Sequence, residues 1–390
     1  MPSREISERA DPDPDTTREA PARGQGGAIE HLIGLQRSIG NRRTAALVGG
    51  MQPRAVSRYK ILGPFNKGQA VHETLTLLAV KKAKERLEAA KEAPGDLLKD
   101  FNAGAVPDVN KKFSYDPINA DASHAQFVRG VVWADDPEGL LFDQEEDTSD
   151  YSSGLTWYSH FRDGEKGNFS TLTARSHFGD LQFFHGMASK DTEAPATTKQ
   201  HMLEWGRFLV DVATGRILTD SKIEDVPAIK AMFPGIPKHT IKQLFGFAKA
   251  SDVQARQRAV GALFHMIQDS FAHGHVDRDA AGDIAEFHAY GGQDEDKHGE
   301  YDFLGGTDKE KLGERVAKTM GAPSAIDRCA DVLTLIAEDK STDEIIKFLD
   351  ETVFKLASST KPAGPGAGLT KPPPAPVKER DPRRMDPGKI

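Results

Sequence analysis

In the string FHMIQDSFAHGH, residues 264–275, His265 and Asp269 stand four positions apart. On a helix that separation places both side chains on one face, within reach of a single ion. Gly274 predicts the end of the helix, after which His275 turns back toward the same place. Downstream, KHGEYD (297–302) repeats the pair as His298 and Asp302. Zinc takes imidazole and carboxylate at about 2.0–2.2 Å, and i, i+4 pairs supply that reach with an unstrained backbone. Leu263, Met266, Ile267 and Phe271 flank the first pair and predict its burial. Buried carboxylates and imidazoles without partners are costly, so a cation is the economical explanation. Any one of these histidines alone reads as an ordinary core or surface residue. Two H-x3-D pairs with a histidine between them read as a metal centre.

The rest of the composition narrows the ligand chemistry. A single cysteine, Cys329, excludes an intramolecular disulfide framework and a cysteine zinc site. Thirteen histidines and many acids leave nitrogen and oxygen as the donors. The net charge of −8 excludes nucleic-acid binding by bulk charge, although bound ions would add local positive charge. The string MPSREISERADPDPD lacks the apolar stretch of a secretory signal. No segment approaches the roughly eighteen apolar residues of a membrane span. The chain is therefore expected to be made as a soluble cytoplasmic protein, with any export by another route.

Helices must position these residues. Residues 72–89, 181–187, 201–214, 241–248 and 253–272 carry helical apolar spacing, and 323–356 predicts two more helices. Residues 102–175 are rich in Pro and Gly and predict loops wrapped around the helices. No alternation marks a strand. The expected fold is all-α, a single multi-helix domain over 59–358. Residues 1–58 form a polar leader expected to be disordered, with a short amphipathic stretch at 29–48. Residues 359–390 form a Pro-rich, basic tail with the same expectation.

H-x3-D-x5-H, then twenty-two residues and H-x3-D, resembles the ligand framework of the superfamily that unites bacterial zinc-dependent phospholipase C with the fungal single-strand-specific nucleases. The resemblance spans roughly residues 72–302. It implies that Asp269 bridges two zinc ions, that His265 serves the first, and that His275, His298 and Asp302 serve the second. VWAD (132–135) is similar to a family segment whose aspartate joins the first ion and acts on the nucleophilic water; this gives Asp135 the catalytic role. YSHFRDG (158–164) resembles the family's next histidine, His160, while SHFGD (176–180) offers His177 as a rival; His160 is preferred as nearer to Asp135 in sequence. His72, in AVHETLT (70–76), looks like the histidine of a third ion. Family members complete that third site with an N-terminal Trp, and this chain has no Trp before His72. Two zinc ions are therefore expected, with a third site altered, empty or completed by processing.

The implied activity is phosphodiester hydrolysis by an activated water, with Glu73, Glu300 and Asp163 orienting imidazoles and His273 a further candidate ligand. His185 and His288 read as plain core or surface residues. The Trp-Ala-Asp segment and Asp302 favour a nuclease over a phospholipase, and Tyr151, Trp157, Tyr158 and Tyr290 are candidate platforms for bases or lipid. LQRSIGNR (35–42) resembles a segment of cargo proteins of bacterial extracellular contractile injection systems, implying that residues 29–48 engage such a particle and that the chain is a delivered effector. The competing expectation is a non-enzymatic cargo or particle component whose metal site only stabilises the fold.

Overall fold

Val71–Ala90, dense in Ala, Leu, Lys and Glu, forms the first long helix, α1, as strong helix formers should. It buries Leu75, Ala79, Val80, Ala83 and Leu87 on one face and carries His72 as its second residue, so that imidazole is delivered at the helix start. The computed structural model describes residues 70–101, 106, 122–141, 151–246, 250–301, 303–307 and 309–371, all within one compact unit. The leader with its 29–48 stretch, and Asp302, lie outside the described residues.

The architecture is mostly helical. After α1 come α2 (Ala122–Val132), α3 (Tyr151–Glu165), α4 (Leu172–Phe178), α5 (Pro195–Ala213), α6 (Asp252–Asp269), a two-stranded hairpin, α7 (Glu295–Gly299), α8 (Ala322–Ala337) and α9 (Thr342–Phe348), joined by short helical turns. The stretch 102–175, expected as loops, contains α2, α3 and the start of α4. Gly130, Gly154 and Gly164 lie inside helices, where packing outweighs their weak helix propensity, while Gly139 and Gly167 sit in turns.

Helix α6 is the axis of the fold. Ser251 and Gln254 close a capping box at its start, satisfying the first orphan N–H groups. It packs against α2, α5, α8 and α1, so nearly every residue from Ala255 to Asp269 is buried. The crossing with α2 is very close, because two glycines meet there. A Cβ at Gly261 would stand 2.3 Å from the Phe127 carbonyl oxygen, and one at Gly130 would stand 2.2 Å from that of Arg258. Gly261→Ala should therefore push the helices apart and destabilise the protein by about 1–3 kcal/mol or more, as overpacking does. Thermal unfolding measures this, and an unchanged Tm would contradict the close crossing.

Just past α2, Trp133 anchors a tight turn. Its indole stacks on Trp205 at 5.7 Å and donates to the Leu244 carbonyl at 2.8 Å. Asp136 accepts from the amides of Leu140 and Leu141, and Trp157 donates from α3 to the Asp135 carbonyl at 2.8 Å. These bonds fix the backbone of Asp135 from three sides.

Two features correct the expectation from sequence. The chain is not purely α: β1 (Val276–Arg278) pairs antiparallel with β2 (Ile284–Phe287), matching Val276 to Phe287 and Asp277 to Glu286. Strands of three and four residues are too short to display alternation. Residues 363–371, expected as part of a tail, form a strap hydrogen-bonded to the main chain at Thr192, Glu193, Ala289, Gly292 and Asp294. Among the described residues, no helix is long and apolar enough to cross a membrane.

Candidate metal centre

Two helices and two turns converge on Asp269. It occupies the last position of α6, four residues after His265, and both are fully buried. His265 Nε2 lies 2.9 Å from Asp269 Oδ2, and His72 Nε2 lies 3.2 Å from Oδ1. The rings of His72 and His265 stack at 4.1 Å. His185, from the single turn Gln182–His185, brings its Nδ1 to 3.2 Å from Asp269 Oδ2. The His275 Nδ1 stands 3.5 Å from the same oxygen.

The outer nitrogens decide the chemistry. His265 Nδ1 donates to the Val131 carbonyl at 2.6 Å, and His275 Nδ1 to that of His185 at 2.8 Å. His177 Nδ1 donates to the Thr173 carbonyl at 2.8 Å, and His185 Nε2 to that of Ala134 at 3.2 Å. His72 Nδ1 donates to Gln268 Oε1 at 2.7 Å, and His298 Nδ1 to Gln293 Oε1 at 2.6 Å. A carbonyl oxygen can only accept, so each ring carries its proton on the nitrogen that meets it, which for His275 is also the nitrogen nearer Asp269. A neutral imidazole then presents a lone pair inward. His265 Nε2 and His185 Nδ1 face each other at 2.7 Å in this way, with a carboxylate beside both. Such an array is repulsive unless a proton or a cation lies within it. Outer hydrogen bonds of this type also fix the rings of metal-binding histidines.

The electrostatics agree. Burial alone would raise the Asp269 pKa, but the imidazoles of His275, His265 and His72 and the close contact with His185 outweigh it and hold the carboxyl well below the usual range. Burial likewise opposes charge on His72, and Asp269, helped by Asp135 and Gln268, overrides it and raises that imidazole. A positive charge is thus favoured between His72 and Asp269, and a metal ion would supply it in place of the proton.

Two buried groups have metal-ligand geometry. His72, His265 and Asp269 offer donor atoms all within 4.8 Å of one another, and Asp135, His177 and His185 do the same. The groups adjoin: His185 Nδ1 is 3.9 Å from Asp135 Oδ1 as well as 3.2 Å from Asp269. Either group could hold an ion through nitrogen and oxygen donors, and together they fit two. Asp135 retains 6 % exposure, unlike the fully buried Asp269, and so faces the solvent side.

Of the residues expected from sequence, His72, Asp135, His265, Asp269 and His275 come together. His298 is buried beside His275, their rings 5.0 Å apart. Its expected partner Asp302 lies outside the described residues. His160 belongs to neither group; its Nδ1 turns to Glu138 at 3.0 Å, and the side chain is a quarter exposed. The His177 ring occupies the interior instead, held edge-on by Trp157 and Phe161. Glu138 links the two, accepting from His160 and from the Thr173 hydroxyl at the start of α4. His177→Ala should weaken metal binding by more than about 100-fold, beyond the loss of an outer partner, whereas His160→Ala should leave it nearly intact. Competition titration with a zinc chelator checks both, and the reverse order would reinstate His160.

Sequence reasoning passed over His185, a lone histidine in the apolar run Phe183-Phe184-His185-Gly186-Met187, where burial was the available signal. It also passed over Gln268 and Gln293, which orient rings where acids were expected. Glu300 is exposed, and Asp163 pairs with Lys166. His273 turns to Asp277 at 3.0 Å on the hairpin. Of the candidate platforms, Tyr290 and Trp157 are buried against the ligand rings, Tyr290 packing edge-on to His298 at 5.2 Å. Neither family models, curated proteins nor solved structures match the chain.

Proposed function

We propose that this chain is a zinc-dependent phosphodiester hydrolase, with single-stranded nucleic acid favoured over phospholipid as substrate. The observation that carries it is the set of buried imidazoles, each with its outer nitrogen bonded to a fixed oxygen, gathered about Asp269 and Asp135. Two ions fit the donors: one among His72, His265 and Asp269, the other among Asp135, His177 and His185. Zinc held there would lower the pKa of a water toward about 7 and polarise a phosphoryl oxygen. Asp135, the acid nearest solvent, would orient that water and accept its proton. Asp269, ionised and enclosed, serves both groups and fixes their separation. The spacing of His265, Asp269, His275 and His298 and the Trp133-Ala134-Asp135 segment supports the phosphodiester assignment through the family resemblance.

Complete burial of His72, His265 and Asp269 favours a second reading, an ion that only stabilises the fold. One experiment separates the two. Zinc-loaded protein is incubated with single-stranded DNA, RNA and phosphatidylcholine, with metal content measured on the same sample. Chelator-sensitive cleavage of either nucleic acid supports the proposal. Cleavage of the lipid alone moves it to the phospholipase branch. Two bound ions with no hydrolysis support the structural reading, and less than one ion per chain overturns both. Delivery by an injection particle is part of the proposal: removing residues 1–58 should abolish packaging and leave hydrolysis intact.

A further inference from the structure

Behind His275 and His298 a single amide is held on three sides. Gln293 is 1 % exposed, and its Nε2 donates to the Gly274 carbonyl at 2.7 Å and to the Pro365 carbonyl at 2.8 Å. Both N–H bonds are thereby used on atoms that can only accept, so the amide cannot be turned around. Its Oε1 must then face His298 Nδ1, which forces the proton of that ring outward. One of the two carbonyls belongs to the strap. The strap brackets Gln293 along the chain: Ala289 N donates to the Gly364 carbonyl at 2.8 Å, and Asp294 N to that of Leu369 at 2.6 Å. Leu369 is 1 % exposed, which gives the strap its own apolar anchor. Gly366, with φ +86°, lies so close to His288 that a Cβ there would come within 2.4 Å of its ring.

We propose that residues 363–371 are a working part of the His275/His298 subsite, acting through Gln293 as a positioning residue that sets the His298 tautomer and so its readiness to bind zinc. This rests on the zinc-hydrolase reading and adds to its two ions a further one at His275 and His298, whose buried rings lie 5.0 Å apart. The chemistry is local. With the strap docked, the Gln293 amide is pinned and His298 presents Nε2 inward. With the strap displaced, one N–H of the amide loses its acceptor, the amide can rotate, and either ring nitrogen can carry the proton.

The test uses the full chain as wild type, Gln293→Ala, Gln293→Met and Gly366→Val, the last aimed at the strap alone. Folding of each is checked by circular dichroism. The first readout is taken on metal-free protein: nitrogen NMR of the His298 ring, which reports the tautomer directly. The second is zinc affinity by competition with a chelator. Expected are a single Nδ1-protonated form in wild type and a mixture in all three variants. Weaker binding at one class of site by about 10–100-fold, the usual cost of losing an outer partner, should accompany it. The inference is overturned if the variants keep the wild-type tautomer, or if their zinc affinity is unchanged while wild type binds normally. A wild type with the expected tautomer that binds no ion removes the metal reading instead, and with it the role claimed for the strap.

Discussion

Asp269→Ala is expected to leave a folded chain that holds less than one ion and hydrolyses no phosphodiester above background. The loss in rate should be at least about 10⁴-fold, the order found when one member of a catalytic unit is removed. The reason is positional. This carboxylate lies 2.9–3.2 Å from His72, His265 and His185 alike, closer than Asp135, which stands 3.9 Å from His185 and 4.0 Å from His265. Removing it deprives one group of its only oxygen donor and the other of its neighbouring negative charge. Asp269→Asn keeps the volume and should fail equally, since a neutral amide cannot balance a divalent ion. Elemental analysis and a cleavage assay on the same preparations decide the matter; two ions and retained turnover in either variant would falsify the central role of this residue.

The second large effect concerns pH, and its sign reverses with metal. In the metal-free protein the raised His72 pKa means that protonation stabilises the fold. That contribution is complete below about pH 6.5, the unfolded value, and is lost as pH rises through the folded pKa. The depressed Asp269 acts at the other end: its contribution is present above about pH 3.9 and fades only as pH falls far below. Metal-free protein should therefore melt highest between about pH 4 and 6.5 and lower at pH 8. In the loaded protein protons compete with the ion for the same imidazoles, so stability should rise with pH through that range. At pH 7.5, with free zinc about 100-fold above Kd, each ion adds about 2.7 kcal/mol, or roughly 4 °C in Tm for a domain of about 300 residues. Parallel pH profiles for loaded and stripped protein would refute this.

Local spacing and tertiary assembly divided what could be read from the residues. His265 and Asp269 share a helix face, and His275 follows the helix end, so their meeting is a property of the local chain. His298 was reachable because it repeats the same pattern a short distance on. His185 and His177 arrive on a different footing. They sit on a single turn and a short helix about seventy residues before α6, and only the packing of the turn on α6 and of the short helix on α3 brings them inward. His160 lay nearer to Asp135 in sequence, but its helix turns that ring toward Glu138 and gives the inward place to Trp157 and Phe161. The helices in 102–175 were hidden by glycines that serve close packing, as at Gly130. The strap was hidden because Pro and Gly composition mimics a tail, whereas its attachment runs through main-chain hydrogen bonds that need no characteristic side chain.

The outer hydrogen bonds of the imidazoles have a consequence for how this protein can vary. Four of the six rings, those of His177, His185, His265 and His275, are moored to backbone carbonyls. No single side-chain replacement elsewhere in the chain deletes such an oxygen, so these ring orientations tolerate sequence drift as long as the helices stay in place. His72 and His298 are moored to glutamine side chains. Inherited damage to the ligand geometry, short of losing a ligand, is therefore concentrated at two codons, those of Gln268 and Gln293.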